Sequence, residues 1–251
     1  VDRDELSRIA HRRHPIAAPL APSSLARLLE RVAPPPAGHV LDLGCGAGAW
    51  LVALLADRTD LRGVGVDLAE GATREATAAA GARGVEDRVT WVTADAATWS
   101  GGRFDTVLCV GAAHAFSGLG GALEGVRAHL RPGGRVVLGD GFWEQAPTPA
   151  ALAALEAAPE DFPDLAGLVA TVRRHGYEVG DAHVSTLAEW DDYEWSWTRS
   201  VVAWALDEAP TPAERDEALA AATAHRTAWL EGYRRVLGFA TLVLHDVRPT
   251  A

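Results

Sequence analysis

The chain contains no methionine, just two cysteines, and no run approaching eighteen consecutive apolar residues. Each shortage excludes something. Without such a run no transmembrane helix is expected, since about 20 apolar residues are needed to cross a bilayer. Two cysteines, Cys45 and Cys109, do not make a disulfide scaffold. Both fall at the ends of apolar runs that read as neighbouring strands, so the expectation is a reduced, cytoplasmic protein. The stretch VDRDELSRIAHRRHP is charged throughout and lacks the apolar core of a signal peptide. The missing methionine implies a start residue that has been lost or replaced.

Basic charge is also in short supply. Lys and Arg number 23 against 34 Asp and Glu, a net charge of −11. Phosphate backbones are held by basic patches, and this balance speaks against a nucleic-acid partner. The arginine pairs at 12–13, 173–174 and 234–235 sit among acids or in helical patterns, and solvated helix faces explain them. The histidines are scattered, with no Cys/His cluster at ligand spacing, so no metal is expected.

What the chain does have is a pattern of apolar runs ending in glycines and acids. Residues 39–50, HVLDLGCGAGAW, form a short apolar run carrying Asp42 that breaks into Gly44, Gly46 and Gly48 before a helical pattern begins. A strand ending in such a turn lets backbone approach a ligand, because no Cβ intervenes. Alone it is a weak signal. Asp67, ending a second run, RGVGVD, lies nineteen residues beyond Gly48, near the distance at which a second-strand acid meets a ribose diol. A third run, RVTWVTADA, places Asp95 just past its end, a fourth is FDTVLCVG, and LRPGGRVVL is a Pro-Gly-Gly turn entering a fifth.

This set resembles the class I S-adenosylmethionine-dependent methyltransferases over roughly residues 38–140. The resemblance implies a Rossmann-like seven-stranded α/β sheet, mostly parallel with an antiparallel last strand, plus a helical cap. It implies S-adenosyl-L-methionine as cofactor, held by Asp42, Gly44, Cys45, Gly46 and Gly48, by Asp67 and Leu68 at the ribose, by Asp95 and Ala96 at the adenine, and by Val110. The HxxHP element at residues 11–15 and the EWDxYEWSW-like element at 189–197 are similar to those of a largely uncharacterised bacterial group of small-molecule methyltransferases. A dinucleotide oxidoreductase is the rival reading of the glycines. Its usual G-x-G-x-x-G would put Ala49 at the third glycine, and it has no use for Asp42 or Asp95. A donor-binding enzyme with other chemistry and a catalytically silent module also stay open.

The candidate catalytic residues are His114, beyond the fourth strand, Asp140, ending the fifth, and Tyr193. His11, His14, Phe142, Trp143, Trp195 and Trp197 are candidate lining for the acceptor. The expected domains are an N-terminal helical lid (1–36), the donor-binding core (37–188), a helical cap (189–236) and a last strand (237–251). Alternation of patterns places strands near 39–44, 62–67, 88–93, 104–110, 134–140, 177–187 and 239–247, with cap helices near 193–207 and 212–235. Residues 189–235 carry five of the nine tryptophans; Trp204 and Trp229 read as structural, and Tyr193, Trp195 and Trp197 as either packing or pocket wall. The acids Glu189, Asp191, Asp192 and Glu194 raise the idea of a cationic acceptor. A small-molecule substrate is expected, with homodimerisation left open.

Overall fold

A computed structural model describes residues 3–248; the end of the expected last segment, 249–251, lies outside them. The chain divides into two compact units. Among the described residues, a sheet unit takes 21–141, 165–184 and 239–248, and a helical unit takes 3–20, 142–164 and 185–238.

The sheet unit begins with α2 (Pro22–Val32), whose Leu25, Leu28, Leu29 and Val32 are buried. There follow β1 (His39–Leu43), α3 (Ala49–Asp57), β2 (Arg62–Asp67), α4 (Glu70–Ala82), β3 (Val89–Thr93), β4 (Phe104–Val110), α5 (Leu119–Ala128), β5 (Leu130–Trp143), α7 (Leu165–Arg174), β6 (Tyr177–Val184) and β7 (Leu237–Asp246). The seven strands form one sheet in the order β3-β2-β1-β4-β5-β7-β6. Strands β1 to β5 pair in parallel, and β6 and β7 pair antiparallel. Strand β1 is buried from Val40 to Leu43 because helices cover both faces of a parallel sheet, which is why its sequence is an apolar run instead of an alternation. Strand order reverses between β1 and β4, and at such a switch point the loops diverge to leave a crevice.

Two glycines in this unit answer to one tryptophan. A Cβ on Gly65 would lie 2.3 Å from the Trp91 ring, and one on Gly48 2.4 Å from it. The side chain of β3 thus lies where β2 and the glycine turn have given up theirs. Helix α4 is alanine-rich for a similar reason. Its buried positions are Thr73, Ala76 and Ala80, which allow the close, shallow packing its composition suggests.

The Pro-Gly-Gly segment differs from expectation. It is an interruption within β5, not a turn ahead of it: pairing with β4 jumps from Leu130 opposite Phe104 to Arg135 opposite Thr106. Gly133, at φ +75°, takes the backbone through this bulge.

The helical unit contains α1 (Arg3–His11), α6 (Pro149–Leu155), α8 (Leu187–Asp207), α9 (Pro212–Thr227) and a π-helical turn, Ala228–Tyr233. Helix α8 starts earlier than expected, so the whole EWDDYEWSW element lies inside it. Thr186 caps it reciprocally with Glu189, a capping box that fixes its start. Helix α9 starts as its sequence predicts, with Thr211 accepting from the Glu214 amide and Pro212 in the first turn. Trp204 packs in a core with Ile9, Ala10 and Val201, and Trp229 is buried and stacked on Trp190. Both are structural, in keeping with the sequence reading.

Candidate active site

The acids singled out in the sequence stand at the carboxyl ends of adjacent strands of the sheet unit. Asp42 sits inside β1, opposite Gly65 of β2 and Leu108 of β4. It is 3% exposed, and its Oδ2 has no hydrogen-bond partner. Burial pushes its pKa up to about 7, and the neighbouring Asp67 carboxylate adds to the rise. Asp67 ends β2. Its two oxygens accept from backbone amides, Oδ2 from Gly46 at 2.8 Å and Oδ1 from Ala69 at 2.9 Å, which ties the glycine turn to the β2 end. Asp95 follows β3, exposed, with Oδ1 accepting from the Ala97 amide at 2.9 Å; Ala96 beside it is buried.

The turn between β1 and α3 has Gly44, Gly46 and Gly48 all at positive φ, +73°, +51° and +75°. A Cβ at Gly44 would meet the Ala112 methyl at 2.4 Å, whereas at Gly46 it would meet nothing within 4 Å. Gly46 therefore faces open space with its backbone bare. Leu68, next to Asp67, is 72% exposed, an uncovered apolar side chain just beyond the end of β2. Cys45 is buried; desolvation pushes its thiol pKa up and the charges of Asp42 and Asp67 add to the rise, so the thiol stays protonated. Val110 ends β4, half-buried.

Beyond β4, His114 lies exposed on a short 3-10 turn, Ala113–Phe116. Asp140 of β5 is half-buried, and desolvation pushes its pKa up to about 6 against the Gly141 amide and the charge of His114, which pull it down. These two candidates are thus electrostatic neighbours.

The remaining candidates belong to the helical unit. His11 Nδ1 lies 2.8 Å from the Ser7 carbonyl, so that nitrogen carries the proton and Nε2 accepts from the Tyr193 hydroxyl at 3.0 Å. His14 meets the Tyr193 ring edge-on at 5.3 Å; it is buried, and its Nδ1 lacks a partner. Desolvation lowers the pKa of both histidines and raises that of Tyr193, so at neutral pH all three are uncharged. Phe142 is buried with its ring over Gly238, where a Cβ would come within 2.4 Å. Trp143 is buried edge-on to Phe162 and donates to the Pro159 carbonyl at 2.8 Å. Trp195 is 48% exposed, and Trp197 stacks on His225 at 3.8 Å.

Three of the four acids in the aromatic segment are committed to partners. Glu189 completes the capping box, and Asp191 pairs with Arg234 through two bonds of 2.8 and 2.7 Å. Glu194, 3% exposed, accepts from Tyr233 at 2.9 Å and contacts His225 Nε2 at 2.5 Å. These three carboxylates therefore hold together the helical unit itself. His225, Tyr233 and Arg234 were missed in the sequence because they lie 31 to 43 residues from their acids and follow no local spacing.

Comparison with known proteins fits this arrangement. A methyltransferase domain family matches residues 40–134. The uncharacterised Escherichia coli K12 protein YjhP is 30% identical over 197 residues, which is 77% of this chain and 79% of that one. A crystal structure of a SAM-dependent methyltransferase from Geobacter sulfurreducens in complex with S-adenosyl-L-homocysteine superposes with a TM-score of 0.88 at 29% identity, covering 96% of this chain and 97% of that one. The chain belongs to the class I S-adenosylmethionine-dependent methyltransferases. A SAM-dependent methyltransferase from Thiobacillus denitrificans in complex with S-adenosyl-L-homocysteine is as similar, with a TM-score of 0.87 at 29% identity over 97% of this chain and 98% of that one.

The methyltransferase uses S-adenosyl-L-methionine, and its own residues fit that donor. The donor carries two cationic centres, a ribose diol and an exocyclic amine. The crevice offers a buried acid with an unpartnered oxygen, a second acid at the next strand end, and a third beyond it, around backbone bare of side chain. An ionised carboxylate is acceptor-only, matched to groups that donate.

Proposed function

We propose that this methyltransferase methylates a small-molecule metabolite, with the donor held in the crevice at the carboxyl ends of β1 to β4. The observation that carries this reading is the buried, unpartnered Asp42 oxygen beside Asp67 and the bare Gly46 backbone. When bound, the donor supplies an electrophilic methyl on a sulfonium, so the protein's share is orientation, exclusion of water and proton handling. Asp42, with the backbone of Gly44, Cys45, Gly46 and Gly48, orients the amino-acid end. Asp67 accepts from the ribose hydroxyls while Leu68 covers the adenosine. Asp95 accepts from the adenine amine, with Ala96 and Val110 alongside.

Asp140 is the better candidate for taking a proton from a protic acceptor. Its pKa of about 6 leaves it ionised at neutral pH, yet more basic than an ordinary carboxylate. His114 then acts as its electrostatic partner. In the helical unit, His11, His14 and Tyr193 are proposed to meet the acceptor as neutral hydrogen-bonding groups, with Trp195 and Trp197 as aromatic surface. The small-molecule class is favoured by the net charge of −11, which disfavours nucleic acid. A cytoplasmic setting agrees with two free, buried cysteines.

Calorimetric titration with S-adenosylhomocysteine tests the donor site. Binding is expected to be saturable, and Asp67→Ala should weaken it by roughly tenfold to a hundredfold, the loss of charge-assisted hydrogen bonds. Undiminished binding in that variant would overturn the assignment of the ribose acid. A metabolite screen read by S-adenosylhomocysteine release tests turnover. Tight donor binding without release from any acceptor would favour a silent binding module.

A further inference from the structure

At the other end of the sheet unit from the acid cluster lies a cavity of about 640 Å³ ringed by arginines. Arg103 enters from the loop before β4, Arg127 from the last turn of α5, Arg174 from the end of α7 and Arg248 from beyond β7. Glu124 is the one carboxylate among the lining residues, in a protein whose net charge is −11. We propose that this cavity is a second binding site, distinct from the donor crevice, for a small polyvalent oxyanion.

Arg127 is the fixed point. Its side chain is 13% exposed, paired with Asp246 at 2.7 Å, and its guanidinium lies 3.9 Å above the centre of the Tyr177 ring. It also donates to the His175 carbonyl. Such a cation is held rigidly, and little freedom is lost when it meets a ligand. The other three arginines are exposed. Arg103 donates to the Leu130 carbonyl at 2.9 Å, Arg174 to the Thr171 hydroxyl at 2.8 Å, and Arg248 Nε stands 3.6 Å from Asp246. A guanidinium has five N–H donors, so these bonds leave most of them uncommitted among the described residues.

Ordinary helix capping accounts for part of the cluster, since basic residues favour the last turns of α5 and α7. It does not account for Arg103 and Arg248, which come from a loop and a strand exit to the same cavity. Asp246 and Glu124 offset two of the four charges, and the excess favours an anion. Guanidinium forks match phosphate and carboxylate oxygens in pairs, and the volume is that of a metabolite site. A bound oxyanion would bridge α5, α7, the entry to β4 and the exit from β7.

The test uses the full chain saturated with S-adenosylhomocysteine, so that the donor crevice is filled, at constant ionic strength. Sodium pyrophosphate and sodium citrate are titrated separately by calorimetry. One saturable site is expected, weakened roughly tenfold or more in the double variant Arg174→Ser, Arg248→Ser. Both residues are exposed and outside the acid cluster, so that variant should keep its S-adenosylhomocysteine affinity and its thermal midpoint. Preference for pyrophosphate assigns a phosphate ligand, and preference for citrate a polycarboxylate. No saturable heat with either anion, or full-strength binding in the double variant, overturns the proposal.

Discussion

A carboxylate buried as deeply as Asp42 is costly to ionise, and Asp67 beside it raises that cost. In the unfolded chain an aspartate releases its proton near pH 4; in the folded, unliganded enzyme Asp42 does so near pH 7. Between those values the folded state holds the extra proton, so stability falls as pH rises and the full penalty, at most about 4 kcal/mol, is present above pH 7. Asp42→Asn removes the charge. It should raise the thermal midpoint at pH 8, raise it less at pH 5, and weaken S-adenosylhomocysteine binding at pH 8. A lower midpoint at both pH values would mean that the ionised acid stabilises the empty crevice. Asp140 gives a second pH signature. If it takes the acceptor's proton, kcat/KM should rise with pH through about 6, and Asp140→Asn should lower the rate and abolish that rise. A retained acid limb in the variant would assign the proton transfer elsewhere.

Between elements, the pairing of glycine with tryptophan across β2 and β3 is the most specific packing in the sheet unit. Gly65→Ala forces a methyl into the Trp91 ring, and the cost of overpacking is about 1–3 kcal/mol. Trp91→Leu should recover part of that loss in the double variant, as measured by urea unfolding. Additive losses would show that the ring is not what Gly65 accommodates. The sequence made the strands legible, because parallel strands buried on both faces are apolar runs and their ends carry the glycines and acids. It did not show why Gly65 is a glycine, since Trp91 lies far along the chain. The start of α8 lies a few residues earlier than its aromatic pattern suggests for a different reason: it is set by the capping pair of Thr186 and Glu189 and not by the aromatic residues. That Asp42 falls within the first apolar run, Asp67 at the end of the second and Asp95 just past the third was readable in the sequence; that they share one site is what the family resemblance implies. The partners of Asp191 and Glu194 were not readable, because helix-to-helix contacts leave no local periodicity.

For the whole molecule, ligand linkage gives the simplest check. S-adenosylhomocysteine at a hundred times its dissociation constant should add about 2.7 kcal/mol to stability. For a chain of this length that corresponds to roughly 5–10 °C in the thermal midpoint. The chain passes five times between its two units, and β5 and β7 each contribute residues to both. One calorimetric transition is therefore expected to move as a whole; a second, unshifted transition would show that the units melt independently.

The threefold origin of the helical unit has a consequence for anyone wishing to exchange it between relatives. Its described residues come from 3–20, 142–164 and 185–238, none of which forms the unit alone. Chimeras between relatives that exchange just the tryptophan-bearing stretch would leave foreign helices against native neighbours, with Tyr193 parted from its own His11. A transplant has to move all three stretches together, cutting β5 and β7 near their ends and leaving the remainder of the sheet untouched.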